Sequence, residues 1–175
     1  MNKIAILIHF DSLGEVYRFP MQFKDPSFFQ AMDRFLEFSN QDKFPYSIYF
    51  IGKDLRNKMH VEKVKQWSEM GHEIGNHSWS HREDLSLLPK TEVHRQISKT
   101  HEIIASITGI EPKGFAGPGW THSSDIYNTL ISLNYSYDVS VFPSWIFFLQ
   151  YLFWTVNFIG THKHKRVLLR GKDII

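Results

Sequence analysis

The sequence predicts an α/β protein built on a parallel sheet, either open or closed into an irregular barrel. Three observations carry this. Strand-like and helix-like segments alternate with a repeat of about 30 residues, the length of a strand-plus-crossover unit. The first strand-like run, residues 3–9, is almost continuously apolar and rich in β-branched residues, as in a strand covered on both faces. Between such runs, apolar residues recur at helical spacing.

In order, the strand at 3–9 gives way to a loop from Phe10 to Lys24. Asp25 and Pro26 form a cap-plus-first-turn pair, and Phe28, Phe29, Met32, Phe35, Leu36 and Phe38 fall on a stripe expected to face the core. Pro45 to Gly52 reads as the second strand. Asp54 to Met70 is a charged amphipathic helix that Gly71 stops, with Val61, Val64, Trp67 and Met70 expected inward. Residues 72–76 give a third strand. Thr91 to Thr108 is a helix ended by Gly109, anchored by Val93, Ile97, Ile103, Ile104 and Ile107. Lys113 to Ala116 is the fourth strand, Asp125 to Leu133 a helix, and Tyr135 to Val141 the fifth strand.

A chain of 175 residues buries about 70% of its unfolded surface on folding, enough for a core without staples. No repeat or linker interrupts it, so residues 1–175 read as a single domain. The lack of cysteine excludes disulfides and thiolate zinc sites, leaves any metal to histidine, carboxylate or hydroxyl ligands, and suits a cytoplasmic location. The opening apolar run flows into an aspartate and reads as a strand, not a signal peptide. A net charge of +2, without an arginine-rich motif, argues against a nucleic-acid partner.

The segment around which the chemistry gathers is Gly71-His72-Glu73-Ile74-Gly75-Asn76-His77-Ser78-Trp79-Ser80-His81. Neutral imidazole is the commonest protein ligand for zinc-like ions, and His77 and His81 stand four residues apart just past a strand's carboxyl end, where α/β sheets present ligands. Ten histidines in 175 positions give such a spacing by chance about half the time, so spacing alone is a weak motif. The surrounding residues carry the argument.

Asn76-His77-Ser78-Trp79-Ser80-His81, preceded by Glu73-Ile74-Gly75, resembles the metal-binding motif of the NodB-type polysaccharide deacetylases, carbohydrate esterase family 4. His9-Phe10-Asp11-Ser12 resembles the family's first motif, Thr-Phe-Asp-Asp. Gly114-Phe115-Ala116-Gly117-Pro118-Gly119-Trp120 resembles its third, and Tyr137-Asp138-Val139-Ser140 its fourth. The resemblance implies a distorted (β/α) barrel with fewer than eight strands, and hydrolysis of an N-acetyl or N-formyl amide on an aminosugar. It implies His77 and His81 as ligands to a divalent metal, zinc first. Two alignments of the first motif remain open. In one, Asp11 is the catalytic base and Ser12 stands where the metal-binding carboxylate belongs. In the other, the branch pattern Asp-x-Asp puts His9 at the base position and Asp11 on the metal.

Pro118, Gly119 and Trp120 are the implied substrate-binding residues: backbone N–H groups near Gly119 or Trp120 as oxyanion donors, the indole as a sugar platform. Ala116 replaces the family's arginine, a departure shared with the branch that acts on lipid-linked aminosugars. Asp138 thereby loses its inherited partner and, with Ser12, is expected in support of the site. The fifth motif, which supplies the general acid, is not convincingly present. His162 and His164 lie in a basic run, as if the domain were truncated at the C-terminus. The aromatic stretch Trp145 to Ile159, followed by His162-Lys163-His164-Lys165-Arg166, reads as a core helix or as an interfacial anchor, residues 145–166, that would bring the protein to the inner membrane face. Two rival functions stand beside the hydrolase: a degenerate deacetylase fold that binds glycan without turnover, and a non-carbohydrate amidase.

Overall fold

The computed structural model describes residues 5–14, 16–19, 25–42 and 44–140. The anchor-like stretch 145–166 and the histidines at 162 and 164 lie outside them. Among the described residues no helix is long and apolar enough to cross a membrane.

Five strands, β1 (Leu7–Phe10), β2 (Ser47–Phe50), β3 (Glu73–Asn76), β4 (Gly114–Phe115) and β5 (Tyr137–Asp138), form one sheet in sequence order. Every pairing is parallel. The crossovers carry α1 (Met32–Asp42), α2 (Lys58–Glu69), α3 (Lys90–Thr108) and α4 (Ser124–Ser132). Because parallel crossovers are right-handed, a sheet that always advances in one direction keeps its helices on one face. This is the winding of a (β/α) barrel; a doubly wound sheet reverses its strand order. Five strands make part of such a barrel, in keeping with the expected distorted barrel of fewer than eight.

Side-chain parity divides the sheet. Phe10, Ile48, Phe50 and Ile74 join Phe28, Met32, Leu36, Val64, Trp67 and Ile104 in the main core, and Phe115 joins Leu85, Val93, Ile97, Ile126 and Leu130 in a second cluster under α3 and α4. Burying an aromatic side chain of this kind contributes about 2–3 kcal/mol. The opposite parity forms the inner face: Leu7 and His9 on β1, Ser47 and Tyr49 on β2, Glu73 and Gly75 on β3. A Cβ at Gly75 would stand 2.5 Å from the Tyr49 ring, so glycine there lets the ring lie against the strand.

Several expectations are corrected. The first strand is not covered on both faces: Leu7, on the face opposite Ile8 and Phe10, is 41% exposed, and among the described residues β2 is the one strand paired with β1. Phe35 and Phe38 are exposed, because the buried side of α1 follows Phe28, Met32 and Leu36 at steps of four, narrower than the full apolar stripe. Met70 is likewise exposed, lying past the last turn of α2. Residues 54–56 form a separate 3₁₀ turn, and α2 begins only where the Asn57 side chain accepts from the Met59 N–H. Gly109 ends α3 as expected, with φ of 72°.

Asp25 has a second role besides capping. One carboxylate oxygen accepts from the Ser27 N–H at 2.9 Å, while the other accepts from the Leu13 N–H at 2.9 Å. The loop after β1 is thereby tied to the start of the first helical segment.

Candidate metal centre

Asp11 and His77 each follow a strand directly, and the register makes them neighbours. Phe10 pairs with Phe50, and Phe50 with Asn76. One residue further, Asp11 and His77 both fall on the inner-face parity. The His77 N–H donates to the Phe50 carbonyl, and the Ser78 and Trp79 carbonyls accept from the amides of Gly52 and Lys53, each at 2.9–3.0 Å. The histidine turn is thus clamped to the end of β2.

His77 and His81 are not on a helix. Their spacing is that of a tight turn in which Ser78 and His81 both take left-handed backbone, φ of 60° and 48°. Such conformations cost about 1–2 kcal/mol for a non-glycine residue and persist only when surrounding contacts fix them. Here they swing the second imidazole back over the first: the ring centroids are 4.9 Å apart at 66°.

The Nε2 atoms of His77 and His81 each lie 3.2 Å from Oδ1 of Asp11. One donor atom from each of the three residues falls within 4.8 Å of the others. His77 Nδ1 lies 2.6 Å from the Ala116 carbonyl oxygen, which can only accept. That nitrogen therefore carries the ring proton, and in the neutral imidazole Nε2 presents a lone pair towards the carboxylate. Two lone pairs facing each other call for a cation between them. One carboxylate and two imidazoles, with a backbone carbonyl fixing one tautomer, are the donors and outer support that zinc-like ions take. The residues fit a divalent metal.

Burial pushes the Asp11 carboxyl up, but with protons rather than a metal ion on the two Nε2 atoms, hydrogen bonds and charge from His77 and His81 outweigh it and hold the group well below the usual carboxylate range. His77 is buried and His81 partly buried, whereas the Asp11 side chain is 41% exposed, so the cluster opens on one side. His9, on the same face, packs its ring 5.2 Å from His77 and 5.0 Å from Trp120. Burial, then the nearby His77, lower its affinity for a proton. Ser12 is buried, and its carbonyl accepts from the Val16 N–H.

Pro118–Trp120 form a single turn with Gly119 and Trp120 in left-handed backbone. Pro118 is buried while Trp120 is 43% exposed beside His9. The Trp120 N–H already donates to the Gly117 carbonyl, leaving the Gly119 N–H as the candidate oxyanion donor on this turn. Asp138 accepts from the N–H and hydroxyl of Ser140, and the Ser140 hydroxyl oxygen accepts from the Gly117 N–H at 2.6 Å. Asp138 thus braces the Pro118–Trp120 turn through Ser140. Its other oxygen is buried without a hydrogen-bond partner among the described residues, and burial raises its proton affinity. Ser140 was not among the sequence candidates. Its signal there is its place at the end of the Tyr137-Asp138-Val139-Ser140 stretch, two residues after Asp138.

Residues 5–137 match the family model for polysaccharide deacetylase. Among curated proteins, the chain is 31% identical over 80 residues to a peptidoglycan deacetylase of Helicobacter pylori, covering 46% of this chain and 27% of that one. It is 33% identical over 73 residues to a probable 4-deoxy-4-formamido-L-arabinose-phosphoundecaprenol deformylase of Shewanella sediminis, covering 40% and 22%. These matches span about a quarter of the relatives' own length. Among solved structures, a carbohydrate esterase family 4 pseudoenzyme from Bacillus anthracis superposes with a TM-score of 0.61 at 18% identity, covering 77% of this chain and 41% of that one. A family 4 acetyl xylan esterase from Clostridium thermocellum, in complex with a cobalt ion, gives 0.57 at 21%, covering 71% and 53%.

Proposed function

The chain belongs to the polysaccharide deacetylase family, and on that premise we propose that it is a divalent-metal-dependent hydrolase removing an N-acyl group from an aminosugar. The observation that supports this most is the convergence of the His77 and His81 Nε2 atoms on one oxygen of Asp11. Asp11, His77 and His81 would hold the ion, with zinc the first expectation and cobalt the ion in the Clostridium thermocellum relative. When bound, such an ion polarises an amide carbonyl and brings the pKa of water down towards about 7.

With Asp11 engaged as the third ligand, another group must take the water's proton, and we assign this to His9. Its ring borders both His77 and Trp120 on the open inner face. The exposed indole of Trp120 offers a flat apolar surface to a sugar ring, and the Gly119 N–H a donor to the developing oxyanion. Ser140 and Asp138 keep that turn in place.

A second reading concerns the acyl group. Ala116 in place of arginine and the match to a deformylase both favour an N-formyl aminosugar on a lipid carrier. The test is release of free amine or formate from acetylated glucosamine oligomers and from a formamido sugar phosphate, with the chain loaded with zinc or cobalt and then stripped by chelator. Metal-dependent release of either product supports the hydrolase. A chain that binds metal but releases nothing from either substrate overturns the aminosugar hydrolase and leaves the two rivals, a glycan-binding fold without turnover, as in the pseudoenzyme relative, and a non-carbohydrate amidase.

A further inference from the structure

We propose that Tyr135 is a positioning residue for the candidate metal centre, acting through Asn76 on the turn that carries both histidines. The inference rests on the metal-binding reading above. Asn76, the last residue of β3, is fully buried and uses its whole side chain. Its Nδ2 donates to the Ile97 carbonyl at 2.9 Å and to the Tyr135 hydroxyl at 2.6 Å, and its Oδ1 accepts from the Ser78 N–H at 2.8 Å. That last bond spans His77 and fixes the left-handed Ser78 on which the return of His81 depends.

The Tyr135 hydroxyl, accepting from Asn76, has its own proton to place, and His101 Nδ1 on α3 lies 3.3 Å away. Burial lowers the proton affinity of the His101 ring, and in the tautomer whose Nδ1 is unprotonated that nitrogen accepts from the hydroxyl. The bonds therefore run in one direction, from Asn76 through Tyr135 to His101. They tie β3 to α3 and to the segment between α4 and β5. Tyr135 has no hydrogen bond to either metal-candidate histidine, yet a rotation of the Asn76 amide would release Ser78 and move His81 relative to His77. Metal–ligand distances tolerate shifts of only about 0.2 Å. A tether that fixes this turn is therefore read out as metal affinity.

The experiment is cobalt(II) binding by the full chain, followed by titration and by the visible absorption of the bound ion. The chains compared are wild type, Tyr135→Phe and, as a control on the half-exposed face of α4, Tyr127→Phe. Tyr135→Phe is expected to lower cobalt affinity about tenfold and to change the absorption spectrum, while Tyr127→Phe changes neither. A Tyr135→Phe chain that melts at lower temperature but binds cobalt with wild-type affinity and spectrum overturns the inference, because its role is then stability alone. A wild-type chain that binds no cobalt overturns the metal reading and the inference together. Should Tyr135→Phe fail to fold, His101→Phe removes the hydroxyl's acceptor and keeps the hydroxyl. A smaller loss of affinity in the same direction is expected there, and an unchanged titration overturns the proposal.

Discussion

The ring proton of His77 is donated from Nδ1 to the carbonyl of Ala116, 2.6 Å away on the strand-end segment next to it in the sheet. This single bond orients the imidazole and leaves Nε2 as the nitrogen available to a ligand, 3.2 Å from Asp11. The usual tautomer-fixing partner for a metal histidine is a carboxylate or a main-chain carbonyl. In this chain it is the carbonyl of the residue whose side chain departs from the family's arginine.

Replacement of either histidine or of the acid should abolish tight metal binding. Asp11→Asn keeps shape but removes charge, and is expected to weaken zinc at least tenfold, measured by isothermal titration. His77→Ala and His81→Ala should leave no stoichiometric metal after dialysis. Retention of one ion per chain in the double histidine variant would place the metal elsewhere.

Ser12→Asp distinguishes the two readings of the first motif. Since Asp11 already meets both imidazoles, the new carboxylate should not raise metal affinity. Ser12 is 1% exposed, so burying a charge there should destabilise the fold by roughly 2 kcal/mol or more. The checks are a thermal melt and a parallel zinc titration, and tighter zinc binding would point to Ser12's position as the ligand site.

Ser140→Ala cuts the link between Asp138 and the Gly117 N–H. A buried amide without a partner costs about 1–3 kcal/mol. Because the turn it braces carries Trp120, KM for a sugar substrate should rise more than kcat falls, with metal content unchanged. Equal losses in both parameters, or lost metal, would show that the turn does more than bind.

Acid should loosen the fold before it titrates carboxylates. Burial lowers the proton affinity of His60, His72 and His101 below the ordinary imidazole value of about 6.5. The unfolded chain then binds more protons than the folded one just below that pH, so stability falls as pH drops through about 6.5 towards the depressed folded values. Melting temperature in the presence of chelator should be flat between pH 7 and 8 and lower at pH 5.5. A melt unchanged at pH 5.5 would mean that burial does not hold down the proton affinity of these rings in the folded chain.

Much of this molecule can be read from local pattern. Among the described residues, apolar periodicity marks the five strands and four α-helices, and Asn76-His77-Ser78-Trp79-Ser80-His81 with Asp11 marks the candidate site, because parallel strands deliver their carboxyl ends to one rim whatever the details. Periodicity could not say that Leu7 on β1 is open, or that Phe35 and Phe38 face outward, since both depend on which neighbours exist. Nor could it find Tyr135 or Ser140, whose partners lie 59 and 23 residues away along the chain. Asp11 and Ser12 are adjacent and, in extended backbone, point opposite ways. Only the register of β1 against β2 and β3, which sets side-chain parity across the sheet, turns Asp11 towards both imidazoles.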